Sequence, residues 1–123
     1  MKVYISHSKN FDFQNELYKP LKDAGLPVEF IFPHEEGAAP YTSKELFQNH
    51  KVDYVLAEVS YPATDQGIEL GWADIYKIPI ICIYKKGTKP AGSLRVISGD
   101  IYEYDNLIDL INKFAQQFGL NLA

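Results

Sequence analysis

The residues best suited to chemistry lie in the stretch 65–71, which reads Asp-x-Gly-x-Glu-x-Gly. This pattern follows an apolar run and a proline-containing loop, so it predicts Asp65 at a helix start and Glu69 in the first turns. Carboxylates near a helix N-terminus interact favourably with the helix dipole, which makes ordinary capping one interpretation. The other is that Glu69 is a nucleophile facing a cleft beyond the strand ends.

Two glycines, Gly67 and Gly71, flank Glu69. Glycine in a helix interior costs about 1 kcal/mol relative to alanine. Two such residues around one carboxylate therefore predict that a neighbouring strand or a ligand approaches the backbone closely at this place.

Two further carboxylates, Asp53 and Glu58, belong to the apolar run 52–60. Asp53 stands near its beginning and Glu58 near its end. A carboxylate in such a strand is costly unless it is hydrogen-bonded or paired. Glu58 is therefore either satisfied by a backbone amide or a tyrosine hydroxyl, or it is part of a functional site.

Metal and cofactor sites are not predicted. His7, His34 and His50 are scattered without ligand spacing, and only His7 is placed to contact a ligand. No GxGxxG follows the first strand and no Walker A pattern occurs, so dinucleotide or triphosphate binding by those motifs is unsupported. The run Ser6-His7-Ser8 is too short for the phosphate loop of an FMN site.

The elements that position these residues alternate along the chain. Strands are predicted over residues 2–6, 26–32, 52–60, 79–84 and 100–104. Helices are predicted up to Ala24, over 42–50 and 65–77, and from 106 through Phe118 to a stop at Gly119, with a turn at 93–97 and a loop at 33–41. This alternation predicts one α/β domain over residues 1–123, a three-layer flavodoxin-like, Rossmann-like fold with a five-stranded parallel sheet in the order 2-1-3-4-5.

Composition narrows the class of protein further. The chain has 123 residues, 46% hydrophobic and 23% charged, with a net charge of −4 and no Lys/Arg cluster beyond Lys85-Lys86. These values argue against a nucleic-acid-binding surface. No apolar run is long enough to cross a membrane, and the N-terminus lacks signal-peptide features. We therefore expect a soluble cytoplasmic protein in which the single cysteine, Cys82, is buried.

Ligands of such sheets bind beyond the carboxyl ends of the strands, near the switch between the first and third strands. Residues 6–10, 32–40, 60–69 and 84–93 are predicted to meet there. The site is therefore expected among these four segments.

Three motifs carry a family resemblance: AEVSYP at 57–62, GIELGWA at 67–73 and KIPI at 77–80. Together they resemble the nucleoside 2-deoxyribosyltransferase superfamily, with the closest likeness to its small 2′-deoxynucleoside 5′-monophosphate N-glycosidases. The resemblance implies that Glu69 is the catalytic nucleophile of a retaining double displacement. It also implies that Tyr4 positions Glu69 by a hydrogen bond, and that Asp53 holds the sugar or assists the departing base.

The resemblance further implies a small-molecule nucleoside or nucleotide as ligand, no cofactor, and a homodimer or larger homo-oligomer. The predicted substrate contacts are Ser6, His7, Ser8, Lys9, Glu58, Ala63, Asp65, Gly67 and Ser93. Ser93 matches a serine that in the family reaches the site of the neighbouring subunit.

Phosphate recognition departs from the family pattern. The first loop reads His-Ser-Lys-Asn rather than a Gly/Arg-rich run, so only Ser8 matches and Lys9 offers a substitute cation. Ala63 replaces a serine, and Asp65 replaces a glycine where an acidic group would repel phosphate. A free nucleoside is therefore as plausible a substrate as a monophosphate.

Two other functions are compatible with the sequence. The opening VYISHS and the same layout resemble a TIR-type domain, which would cleave NAD through a glutamate or serve as a protein-interaction module. A non-catalytic nucleotide sensor on the same fold is the third possibility.

Overall fold

The protein is described by a computed structural model that covers residues 1–35 and 42–117. Its sheet consists of β1 (Lys2–His7), β2 (Glu29–Ile31), β3 (Tyr54–Glu58), β4 (Ile80–Lys85) and β5 (Asp100–Tyr104). All neighbouring strands are parallel, and the order β2-β1-β3-β4-β5 confirms the predicted one.

The helices are α1 (Lys19–Asp23), α2 (Ser43–Gln48), α3 (Thr64–Ile75), α4 (Leu94–Ile97) and α5 (Leu107–Gln117). No helix among the described residues is long and apolar enough to cross a bilayer. Residues 36–41 of the predicted loop, and the predicted helix end at Phe118 and Gly119, lie outside the described residues.

The first helical segment is divided, where the sequence predicted one continuous helix. Gln14–Tyr18 forms a π-helical turn that runs directly into α1, and the N–H of Lys19 donates to the carbonyl of Gln14. Pro20, the next residue, has no N–H to donate. The wider turn thus precedes the position at which a regular helix would lose a hydrogen bond.

Side chains alternate across the sheet and form two cores. From β1, Val3 and Ile5 join the core under α1 and α5, whereas Tyr4 joins the core under α2 and α3. The buried Cys82 also belongs to the second core, as predicted, and burial raises the pKa of its thiol to about 11. This alternation directs Tyr4 toward α3, the helix that carries Glu69.

Candidate functional site

A cavity of about 790 Å³ lies at the carboxyl edge of the sheet, between the ends of β1 and β3, where a ligand was predicted to bind. Its size is that of a small-molecule site. Loops after β1 and β2 and the beginnings of α2 and α3 form its wall. The described residues that line it are Tyr4, His7, Ser8, Lys9, Asn10, Pro33, His34, Glu35, Thr42, Ser43, Pro62, Ala63, Thr64, Asp65, Gln66, Glu69 and Trp72.

A hydrogen bond between Tyr4 and Glu69 forms one side of this cavity. The buried Tyr4 hydroxyl donates to Oε2 of Glu69 over 2.8 Å, linking β1 to the second turn of α3. Within the part of the chain that the structure describes, Oε1 of Glu69 has no hydrogen-bond partner. The bond orients the carboxylate and leaves one of its oxygens for a ligand.

The beginning of α3 brings further polar groups to the cavity. Ala63 precedes the first helical residue in extended conformation and offers no side-chain cap, so the helix starts without a capping hydroxyl. Asp65 lies exposed in the first turn and lines the cavity, as does Lys9 from the loop after β1. An anion entering here therefore meets one positive and one negative side chain.

His7 lines the cavity, but both of its ring nitrogens are already engaged. Nδ1 lies 2.7 Å from the Ser8 carbonyl, and Nε2 lies 2.6 Å from the Tyr18 hydroxyl. Since a carbonyl only accepts, Nδ1 carries the proton and Nε2 accepts from Tyr18. Burial lowers the pKa of His7 to about 4, so the ring is neutral near pH 7. His7 thus holds the loop after β1 and offers no free ring nitrogen to the cavity.

The two serines beside His7 differ in position. Ser8 is buried, lines the cavity and accepts a hydrogen bond from the N–H of Asn10 at 3.0 Å, which shapes the loop. Ser6 is fully buried between strands, and its hydroxyl has no partner among the described residues. Ser6 does not line the cavity, so the structure does not place it as a substrate contact.

His34 is a cavity residue that the sequence analysis set aside. It follows β2, and its backbone N–H donates to the Tyr18 hydroxyl at 3.2 Å. Its ring nitrogens have no hydrogen-bond partner within the described ranges. Partial burial, together with the charge of Lys9, lowers the pKa of His34, and Glu69 opposes this shift. The sequence did contain a signal for His34: it follows the second strand and belongs to the segment 32–40 that was predicted to meet at the site.

Asp53 lies at the opposite edge of the sheet. Its N–H donates to the Lys2 carbonyl, and its carboxylate accepts the N–H of Lys2, both at 2.8 Å. Because β3 spans five residues, roughly 17 Å separates this edge from the carboxyl edge. The structure therefore does not place Asp53 in the cavity with Glu69: its carboxylate fastens the beginning of β1.

Glu58 is buried on the face of the sheet away from Glu69, and it does not line the cavity. Its Oε1 accepts the N–H of Ser60 at 2.6 Å, and its Oε2 accepts the hydroxyl of Tyr104. Its carbonyl accepts the side-chain amide of Gln66 at 2.9 Å. Of the two interpretations left open for Glu58, the structure matches the one in which a backbone amide and a tyrosine hydroxyl satisfy the carboxylate. It does not place Glu58 in the cavity as a substrate contact.

Gly67 and Gly71 do not mark a close approach. A Cβ built on either glycine meets no atom within 4 Å, so no strand or helix among the described residues packs closely against them. Gly67 lines a separate groove of about 400 Å³ that also contains Ser93. Gly67, Gly71 and Ser93 do not line the cavity that contains Glu69.

The two helices that contribute residues to this groove, α3 and α4, carry exposed apolar side chains. Ile68 and Ile75 of α3 are 50% and 74% exposed, and Val96 of α4 is 84% exposed. We call these three residues, together with Gly67 and Gly71, the α3–α4 surface.

Among the described residues, no group of three His, Cys, Asp or Glu side chains could hold a metal ion.

Comparison with solved structures finds similar folds, among them the following two. The CMP N-glycosidase from Clostridium botulinum matches with a TM-score of 0.62 and 18% identity, covering 93% of this chain and 98% of that one. A Burkholderia pseudomallei protein described as pilus assembly-related matches with a TM-score of 0.53 and 12% identity, covering 95% and 90%. No protein-family model matches the sequence, and no curated protein is similar to it in sequence.

Replacing Tyr104 by Phe tests the structural role of Glu58. The substitution leaves a buried carboxylate oxygen without its donor, so the free energy of unfolding should fall by about 1–3 kcal/mol. Urea unfolding would measure it. Tyr102→Phe is the matched control, since that hydroxyl meets only the exposed Asp100, and it should change stability by less than about 0.5 kcal/mol. Equal effects from the two variants would contradict the assignment.

The lowered pKa of His7 predicts an acid-dependent loss of stability. The unfolded chain takes up a proton near the ordinary pKa of 6.5, whereas folded His7 does so only near a pKa of about 4. The stabilisation is therefore complete above pH 6.5 and declines as the pH falls toward 4. Between pH 7 and pH 5, protonation of this group should lower the free energy of unfolding by about 2 kcal/mol.

This contribution can be isolated with His7→Gln. The pH dependence of urea unfolding between pH 7 and 5 should be shallower in His7→Gln than in the unsubstituted protein. His50→Gln, which alters an exposed histidine, should leave the dependence unchanged. A His7→Gln protein with the original slope would refute the role assigned to burial.

Proposed function

We propose that the protein is an N-glycosidase or N-deoxyribosyltransferase that cleaves the base–sugar bond of a nucleoside or its 5′-monophosphate. The observation that carries this proposal is the Tyr4–Glu69 pair in the wall of a cavity at the switch point of the sheet. The motif resemblance to nucleoside 2-deoxyribosyltransferases supports it. So does the similar fold of a CMP N-glycosidase.

The reaction would proceed by double displacement at the anomeric carbon. Oε1 of Glu69 attacks C1′, the C1′–N bond breaks, and its electron pair leaves with the base. A glycosyl ester on Glu69 results. Water, or a second base in the transfer reaction, then attacks C1′ and releases the Glu69 carboxylate with overall retention.

Tyr4 has a defined role in this scheme. Its hydroxyl donates to Oε2, which holds the carboxylate in one rotamer and places Oε1 for attack. The same bond stabilises the ionised form of Glu69, which is the nucleophilic one. The bond to Tyr4 would strengthen again as the carboxylate re-forms in the second step.

His34 is the group we assign to proton transfer with water. Its lowered pKa leaves the imidazole neutral near pH 7, and its ring nitrogens lack partners among the described residues. A neutral imidazole that lines the cavity can accept the proton of the water that attacks C1′. His7 cannot do the same, because its acceptor nitrogen is bonded to Tyr18.

Recognition of the 5′ end depends on opposing charges. Lys9 and the Ser8 hydroxyl would favour a phosphate, and Asp65 in the first turn of α3 would repel it. The balance between nucleoside and monophosphate is therefore set by Asp65 in this proposal.

The proposal includes a homodimer formed through the α3–α4 surface. Isoleucine and valine side chains exposed to this extent are unusual on a monomer when they cluster. Gly67 and Gly71 leave space that a second helix could occupy. Ser93 lines the groove of about 400 Å³ and not the cavity that contains Glu69 of the same subunit. This position is in keeping with the role across subunits that the resemblance implies.

Release of free base tests the proposed function. The protein is incubated with 2′-deoxynucleosides, their 5′-monophosphates, CMP and NAD, and free base is followed by chromatography. Glu69→Gln should lower the rate by at least about 1,000-fold, because the nucleophile is lost. Tyr4→Phe should lower it by about 10- to 100-fold, the worth of a hydrogen bond to a charged group.

Asp53→Asn serves as the control for this experiment and should leave the rate within about twofold, since it lies roughly 17 Å from the carboxyl edge. Base release unaffected by Glu69→Gln would refute the mechanism. Release from NAD alone would favour the TIR-like alternative.

The role of Asp65 has its own test. Asp65→Asn removes the negative charge and should lower KM for 5′-monophosphates by about three- to tenfold, with no change for the free nucleosides. Asp74→Asn alters the same helix outside the cavity and should change neither. If both substrates respond equally to Asp65→Asn, the residue does not act on phosphate.

A further inference from the structure

Four side chains meet at the carboxyl edge of the sheet in a contact that the proposed reaction does not use. The Phe11 and Tyr61 rings stack with their centres 5.1 Å apart and their planes 28° from parallel. The Lys85 ammonium lies 5.2 Å from the centre of the Phe11 ring and 5.4 Å from that of Tyr61, within the range of a cation–π interaction. It also donates to the Tyr61 hydroxyl at 3.2 Å and to the Glu16 carboxylate. We call these four residues the Lys85 clasp.

The Lys85 clasp joins two segments of the cavity wall. Residues 8–10 line the cavity, and Phe11 follows them directly. Residues 62–64 also line it, and Tyr61 precedes them directly. Lys85 itself does not line the cavity. The clasp therefore fixes, from outside the cavity, how the loop after β1 stands relative to the loop that leads into α3.

Burial distinguishes Lys85 from a lysine in an ordinary surface ion pair. Its side chain is 27% exposed, whereas that of Lys86, whose ammonium lies 3.8 Å from the Asp105 carboxylate, is 66% exposed. Burial by itself would lower the pKa of Lys85, but the bonds to Glu16 and Tyr61 outweigh this effect and raise the pKa. Lys85 is therefore charged near pH 7, and its ammonium is held by two bonds and two rings at once. An exposed pair such as that of Lys86 contributes little.

The backbone of Lys85 is anchored in the sheet. It ends β4, and its N–H donates to the hydroxyl of the buried Ser60 at 2.7 Å. The side chain thus extends from a fixed strand end to two loops. Loops belong to the less stable parts of a fold, so contacts from an anchored side chain raise the fraction of molecules in which the loops are arranged to bind a ligand.

We propose that Lys85 is a positioning residue, which holds the loop that carries Ser8 and Lys9 in the arrangement that receives the 5′-phosphate of a nucleotide. The inference rests on the proposed function for the identity of the ligand. In that proposal Lys9 offsets the negative charge of Asp65, so displacement of its loop leaves the repulsion of phosphate by Asp65 unbalanced. A free nucleoside has no phosphate and does not depend on this balance.

The proposed nucleophile is held independently of the clasp. Lys85 follows Ile83 by two residues in β4, so both lie on the sheet face covered by α1 and α5. Tyr4 and Glu69 meet on the other face, beside α3, and their hydrogen bond involves none of the four clasp residues. Loss of the clasp should therefore raise KM and spare kcat, a difference that a general loss of folded protein would not produce.

Base release measures the effect on the reaction. Lys85→Met keeps the length of the side chain and the backbone bond to Ser60 but removes the charge. KM for CMP should rise about tenfold, as expected when about one molecule in ten keeps the loop in place. KM for cytidine, and kcat for both substrates, should stay within about threefold. The 2′-deoxy forms replace this pair if they release more base. An unchanged KM for CMP, or an equal rise for both substrates, would overturn the proposal.

Three further variants separate positioning from other effects. Lys85→Arg keeps a cation that can reach Glu16 and both rings, and should keep KM for CMP within about threefold. Lys86→Met removes the neighbouring exposed lysine and should not change KM. Glu16→Gln removes the negative partner of Lys85 and should raise KM for CMP at least about threefold. Thermal unfolding checks that each variant folds, and Glu16→Gln takes the place of Lys85→Met if the latter does not.

Amide hydrogen exchange followed by mass spectrometry tests the clasp without any substrate. In Lys85→Met, peptides that cover residues 8–11 and 60–64 should exchange at least about tenfold faster, because the two loops open more often. Peptides from α5 should keep their rates and serve as the internal control. Unchanged exchange in both loops would overturn the clasp, whatever reaction the protein catalyses.

The two experiments distinguish failure of this inference from failure of the proposed function. Faster exchange in the loops of Lys85→Met, with KM for CMP unchanged, overturns the role of Lys85 in phosphate binding alone. Base release from free nucleosides but from no monophosphate also overturns that role and leaves the proposed function standing. Absence of base release from every substrate overturns both.

Discussion

The hydrogen bonds of one buried residue, Glu58, hold the parts of the site together. A carboxylate buried in a sheet needs partners, and Glu58 finds them in β5 and in the loop that leaves β3. The backbone carbonyl of Glu58 accepts a hydrogen bond from the side-chain amide of Gln66, and this bond holds the first turn of α3. Glu69 stands one turn further along that helix, so its position depends on a residue that does not line the cavity.

The sequence predicted the architecture well because its signals are local. Apolar runs, Gly25 after the first helix and the Thr42 cap, whose hydroxyl accepts the N–H of Glu45 at 3.4 Å, define elements without reference to the rest of the chain. Strand order followed from the rules for parallel crossovers. The π-helical turn before Pro20 was missed, since the apolar spacing there is equally that of a regular helix.

Within the site, the structure confirms the contact that the family resemblance implied. Tyr4 and Glu69 were expected to meet, and the structure has them 2.8 Å apart. Asp53 precedes β3 at the amino edge of the sheet, and Glu58 ends β3 on the face away from Glu69, so neither residue lines the cavity. His7 and His34 were judged by spacing, but both ring nitrogens of His7 are engaged, one by the Ser8 carbonyl and one by the Tyr18 hydroxyl, and spacing reveals neither contact.

The fastening of Lys2 by Asp53 has a practical consequence for handling the protein. It holds the beginning of β1 at the amino edge of the sheet, facing away from the cavity. An affinity tag, a fluorescent fusion or a surface linker joined before Met1 would leave from that edge. The opening around Glu69 and Trp72 would stay unobstructed, so immobilised protein could be used for substrate capture.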